Sequence, residues 1–89
     1  MSVTLTGRLI CANDTEAALV RAHLPEHLRL TRAEPGCLRF DVTPIDPLTW
    51  QVDEEFTDRA AFDAHQTRTR ASEWFRQTAG IRRDFARNG

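Results

Sequence analysis

The side chains best suited to chemistry gather around one histidine and one carboxylate. His65 follows Phe62 by three residues and Ala61 by four, which places all three on one helix face and turns the imidazole toward its apolar side. Glu54 falls in the period-two run of Trp50, Val52 and Phe56, so its carboxylate shares a strand face with large apolar groups. Such a carboxylate needs a partner or takes a raised pKa, because desolvation disfavours its charged form. Both are titratable groups on apolar faces, the kind of polar side chain a binding pocket carries. Each also has a plainer reading: a hydrogen-bonded core histidine and a solvent-facing glutamate.

Aromatic residues supply the surroundings. Trp74 and Phe75, with Ala71 and Thr78, give a short helix an aromatic face, and Phe40, Trp50 and Phe62 add further ring area. Together they offer more flat surface than a core of this size needs, and they suit a flat aromatic ligand. Ring contacts of that kind contribute about 0.5–1.5 kcal/mol each. Gly7, in mid-strand, either leaves room beside the rings or marks a bulge or close packing. An apolar pocket carrying His65 and Glu54 is therefore the candidate site. His23 and His27, four apart, have a spacing that can clamp a metal, and Glu16 lies on the same side. Pro25 between them spoils the geometry, so no metal is expected and both read as histidines at the core edge. No Gly-rich phosphate loop, Gly-x-Ser-x-Gly elbow or oriented Cys–His pair is present.

The elements that must position these residues follow from periodicity. Val3 to Leu9 alternates as a strand. Asn13-Asp14-Thr15 supplies capping oxygens for a helix from Glu16 to Ala33, with a kink or restart expected at Pro25 and an end at Glu34-Pro35-Gly36. Cys37–Thr43 and Thr49–Phe56 alternate as a hairpin turning at Pro44-Ile45-Asp46-Pro47. Thr57-Asp58 caps a helix to about Gln66, and Thr67-Arg68-Thr69 is expected to interrupt it. Thr69 or Ser72 then caps a third helix ending at Gly80, and Ile81–Ala86 closes the fold as a strand. This order predicts a ferredoxin-like split βαβ α+β fold, with a four-stranded antiparallel sheet and helices on one face. Period two puts Val3, Leu5, Gly7, Leu9, Leu38, Phe40 and Val42 under the helices, with the Trp50–Phe56 set. Thr4, Thr6, Arg8, Ile10, Arg39, Asp41, Gln51, Asp53 and Glu55 take the other face, where a second copy of the sheet can cover them.

Composition sets the outer bounds. Eighty-nine residues make one domain spanning 1–89, and a chain this short buries roughly 60–65% of its unfolded surface, which favours oligomers. Twelve Lys+Arg against 13 Asp+Glu give a net charge of −1, so neither nucleic acid nor an anionic membrane is an expected partner. No apolar run is long enough to cross a bilayer, and Met1-Ser2-Val3-Thr4 lacks a secretory pattern. Cys11 and Cys37 read as two reduced thiols, and a cytoplasmic location is expected.

Two stretches carry a family resemblance. Arg32-Ala33-Glu34-Pro35-Gly36-Cys37-Leu38-Arg39-Phe40 resembles the helix-to-strand joint of antibiotic biosynthesis monooxygenase domains. The run Glu54-Glu55-Phe56 to His65 is similar to their second signature, a strand ending in Glu-x-aromatic before a helix that carries a histidine. The resemblance spans nearly the whole chain. It implies a homodimeric α+β barrel that oxidises a quinol or polycyclic phenol with O₂ and uses no metal or flavin. On that reading His65 is the base or hydrogen-bond partner for the phenol, Trp74 and Trp50 are stacking walls, Glu54 orients His65 or a substrate hydroxyl, and Gly7 gives space, with Phe40, Phe62 and Phe75 around the ligand. The haem-degrading branch of the fold places an asparagine, a tryptophan and an axial histidine where this sequence has Gly7, His65 and the Trp74-Phe75 pair, so that activity is not expected. A non-catalytic binding or accessory domain on the same barrel is the alternative.

Overall fold

In the computed structural model, which describes residues 1–89, the alternating segments form one antiparallel sheet and the helical segments lie across one of its faces. The order is β1 (Val3–Ile10), α1 (Asp14–Arg32), β2 (Cys37–Asp46), β3 (Thr49–Phe56), α2 (Arg59–Arg70), α3 (Glu73–Thr78) and β4 (Arg82–Asn88). Strands run β2-β3-β1-β4 across the sheet, the ferredoxin-like arrangement. Strand β3 alternates without exception: Trp50, Val52, Glu54 and Phe56 are buried, and the residues between them are half-buried. Strand β1 pairs with it along its whole length, from Val3 opposite Phe56 to Ile10 opposite Thr49. The core lies between this face and the helices, built on Leu9, Val20, Val52, Phe56 and Phe62.

Caps fix where the helices begin. The Asn13 side chain accepts from the Glu16 N–H at 2.9 Å, and Glu16 Oε1 accepts from the Ala12 N–H at 2.7 Å. Asp58 and Ser72 cap α2 and α3 in the same way. Helix α1 runs unbroken from Asp14 to Arg32, without the restart expected at Pro25. Pro25 is exposed, so the carbonyl it leaves unpaired one turn earlier faces water. At the far end Gly36 adopts a positive φ of 90°, and a Cβ there would come within 2.7 Å of Ala61 and 2.8 Å of Thr57. The close approach of this joint to α2 is possible because the position is glycine.

Other details also differ from the expectation, and β4 spans Arg82–Asn88 instead of Ile81–Ala86. Strand β2 continues through Pro44 and Ile45 to Asp46, and the turn falls at Pro47-Leu48 instead of Pro44–Pro47. As the sheet edge, β2 can hold a proline with no ladder hydrogen bond lost, and an irregularity between Pro44 and Asp46 absorbs the misfit. A second bulge between Cys37 and Arg39 makes Leu38 the unpaired residue, so it is 58% exposed and not beneath the helices, and Cys37 turns inward in its place. Helix α2 runs on to Arg70, past Thr67-Arg68-Thr69. The Thr67 hydroxyl is satisfied inside the helix by the Asp63 carbonyl at 3.1 Å, and Arg68 is held from outside by Glu34, so the β-branched pair does not end it. No helix is long and apolar enough to cross a membrane.

Candidate active site

The helix-side sheet face is not filled completely. A cavity of about 300 Å³ opens between it and the helices, with Leu5, Leu9, Val52 and Glu54 as its floor. Its walls are Phe40 and Val42 of β2, His27 of α1, His65 of α2, and Trp74 and Phe75 of α3. Gln66, Thr69, Arg70, Arg83 and Phe85 complete it, and the exposed Arg70 lies at the mouth. Rings order one wall. His27 stacks on Trp74 with centroids 4.9 Å apart and planes 5° from parallel, and Phe40 meets His27 and His65 edge-on at 5.2 and 5.6 Å.

His65 stands between two carboxyl groups. Its Nδ1 is 2.7 Å from Glu34 Oε1, and Glu34 Oε2 accepts from Arg68 Nε at 2.8 Å. On its other side Nε2 lies 3.6 Å from Glu54 Oε1, too long for a hydrogen bond, and 3.4 Å from the Thr69 hydroxyl. The imidazole is 2% exposed and lies close to Phe56, at 4.8 Å between centroids. Burial lowers its pKa, with Glu34 pulling the other way. Glu54, 8% exposed, has an Oε1 with no hydrogen-bond partner. Its pKa is pushed up to about 7, first by burial and then by the negative charge of Glu34. The floor of the cavity thus holds a carboxyl that keeps its proton near neutrality beside an imidazole that resists taking one.

Two further polar groups face the same space. His27, also buried, has an unpartnered Nδ1, and burial followed by the charges of Arg68, His65 and Arg83 lowers its pKa to about 3. Arg83 donates to the carbonyls of Thr78 and Ile81 at 2.7 and 3.0 Å and to the Thr78 hydroxyl at 2.9 Å. It has no carboxylate partner, and burial lowers its pKa. The guanidinium leaves this wall of the cavity cationic.

Comparison with known proteins agrees with this architecture. The antibiotic biosynthesis monooxygenase family model matches residues 5–77. The chain belongs to that family. Rv0793 from Mycobacterium tuberculosis has a similar structure, with 22% identity, a TM-score of 0.76, and coverage of 100% of this chain and 94% of that one. SnoaB, a cofactor-independent oxygenase from Streptomyces nogalater, is similar at 14% identity and a TM-score of 0.75, over 99% of this chain and 91% of its own. A dimeric ferredoxin-like protein from an uncultured marine organism aligns at 16% identity and a TM-score of 0.71, covering 98% and 92% of the two chains. At these identities the structural likenesses establish the fold alone. No protein of curated function matches.

Within this member of the family, the cavity brings together five of the eight residues singled out from sequence: Phe40, Glu54, His65, Trp74 and Phe75. Trp50 and Phe62 are buried in the core outside the cavity wall. Gly7 gives no space to a ligand either. A Cβ there would come within 2.1 Å of the Asp84 carbonyl oxygen and 2.7 Å of Phe85 Cα, so its room is taken by β4. The Phe85 ring lies over Gly7 and reaches the cavity in its stead. His23 is half-buried outside this cavity, and no group of three or more His, Cys, Asp or Glu side chains is placed to hold a metal ion.

A sequence reading of the site misses Glu34, Arg68 and Arg83, and takes His27, which is buried on the cavity wall, for a histidine at the core edge. Only His27 left a signal: it follows Leu24 by three residues and precedes Thr31 by four, on the buried face of α1. Glu34 and Arg68 lie far apart in sequence and meet only in the fold.

Proposed function

We propose that this protein is a monooxygenase that oxidises a quinol or polycyclic phenol with O₂, with His65 as base and Glu54 as acid. The observation that carries the reading is the pairing of Glu54, its Oε1 unpartnered, with Nε2 of His65 3.6 Å away in an aromatic-walled cavity. Membership of the family and the likeness to a cofactor-independent oxygenase support the reaction class. A phenolate is electron-rich enough to reduce O₂ itself, so the protein must bind the phenol, remove its proton and exclude water.

The steps balance with the groups present. The phenol gives its proton to Nε2 of His65, and the phenolate passes one electron to O₂. The resulting radical pair combines at a ring carbon that bears hydrogen, forming a C–O bond, and the peroxide takes a proton from Glu54. The ring hydrogen then leaves as a proton to the Glu54 carboxylate, the O–O bond breaks, and hydroxide departs with the proton of His65 as water. The product is a quinone, and both side chains return to their starting states. Trp74, stacked on His27, and Phe40 hold the ring plane, and the guanidinium of Arg83 favours the phenolate.

The same reading includes a homodimer formed through the outer sheet face, where no helix lies. Thr6, Asp53 and Gln51 are already linked there by hydrogen bonds of 2.8 and 3.3 Å.

Oxygen uptake with a panel of naphthohydroquinones tests the activity. The expected result is saturable O₂ consumption that falls by on the order of 10²-fold or more in His65→Ala. Quenching of tryptophan fluorescence by the same compounds without O₂ uptake would instead make this a binding domain.

A further inference from the structure

We propose that Glu34 is a positioning residue that holds His65 in its Nδ1–H tautomer and so turns the Nε2 lone pair toward the cavity. The inference rests on the reading of His65 as the base. It begins with what Arg68 can do. A guanidinium donates and cannot accept, and Arg68 gives Nε–H to Glu34 Oε2 at 2.8 Å while its Nη2 donates to the Thr31 hydroxyl at 2.8 Å. Beside that cation Glu34 is a carboxylate, and its second oxygen, Oε1, can only accept. The group 2.7 Å from Oε1 is Nδ1 of His65, so Nδ1 must carry the hydrogen. In a neutral ring the other nitrogen then holds the lone pair.

The surroundings of His65 agree on that side as well. Nε2 has no carboxylate within hydrogen-bond distance: the Thr69 hydroxyl lies at 3.4 Å and Glu54 Oε1 at 3.6 Å. Rings of Phe56, Phe40 and His27 pack around the imidazole at 4.8, 5.6 and 6.0 Å between centroids, and the hydrogen-bond partner of Nδ1 is Glu34. Glu34 is itself fixed by its backbone, since its N–H reaches the Thr31 carbonyl at 3.0 Å and its carbonyl accepts from Cys37 at 3.1 Å. The Glu-Pro-Gly joint between helix and strand therefore presents a carboxylate to the imidazole from outside the cavity.

Glu34→Gln separates positioning from scaffolding. Arg68 would claim the amide oxygen, the amide NH₂ would face Nδ1, and the ring would have to move its hydrogen to Nε2. Nitrogen-15 NMR of histidine-labelled protein should show Nδ1–H for neutral His65 in the parent and Nε2–H in Glu34→Gln, with turnover reduced by on the order of 10²-fold or more. Adding Arg68→Met frees the amide to rotate, and the double variant should regain Nδ1–H and part of the lost rate. An Nε2–H tautomer in the parent protein overturns the proposal even if the variant fails to fold. So does an unchanged tautomer in Glu34→Gln. If the tautomer switches and turnover does not change, Glu34 positions the ring as stated and it is His65 as base that fails.

Discussion

The surroundings of Glu54 cost the fold stability at neutral pH. Folded, it keeps its proton up to about pH 7, whereas its ordinary pKa is 4.5. Through that window the native state binds a proton the unfolded chain has lost, so stability falls as pH rises from 4.5 to about 7 and remains lower above it. At about 1.4 kcal/mol for each pH step of one between those two values, the loss is about 3 kcal/mol. Glutamine keeps the shape and has no charge to bury. Urea denaturation should show Glu54→Gln near parity with the parent below pH 4.5 and more stable by about 3 kcal/mol above pH 7. A difference that does not change with pH would mean Glu54 is not desolvated. Its place in the site was legible because strand alternation is strict in β3, and His65 because helical spacing set it beside Phe62. Glu34 was not, since its role depends on Arg68 and His65, more than thirty residues away.

Among the elements, β4 depends most on a single small residue. Gly7 of β1 sits opposite Phe85 in the ladder, and any Cβ at Gly7 would strike the β4 backbone. Gly7→Ala should therefore destabilise the protein by about 1–3 kcal/mol, as overpacking does, and raise amide exchange along Arg82–Asn88 first. Uniform exchange with unchanged stability would show that β4 adjusts freely. Element order and strand identity could be read from the sequence because alternation and capping oxygens are local signals. The misplaced boundaries share one cause, contacts that arise only in the fold. Glu34 holds Arg68 and carries α2 past its threonines, the edge position of β2 tolerates Pro44, and the bulge at Leu38 reverses an alternation that had looked regular.

At the scale of the whole molecule, one sheet face is occupied and the other is not. Helices and the cavity take the first, while Thr6, Arg39, Asp53 and their neighbours line the second with polar side chains. On the dimeric reading, sedimentation equilibrium should give twice the chain mass of 10.2 kDa, and a particle of single-chain mass would contradict it. The function turns on where the oxygen goes, because electron removal alone and oxygen transfer leave different products. Turnover of a naphthohydroquinone under isotopically labelled O₂, with mass spectrometry of the product, separates them. The expected result is one labelled oxygen atom in each quinone formed and the other in water, with the labelled product lost in His65→Ala. An unlabelled quinone accompanied by hydrogen peroxide would contradict the account.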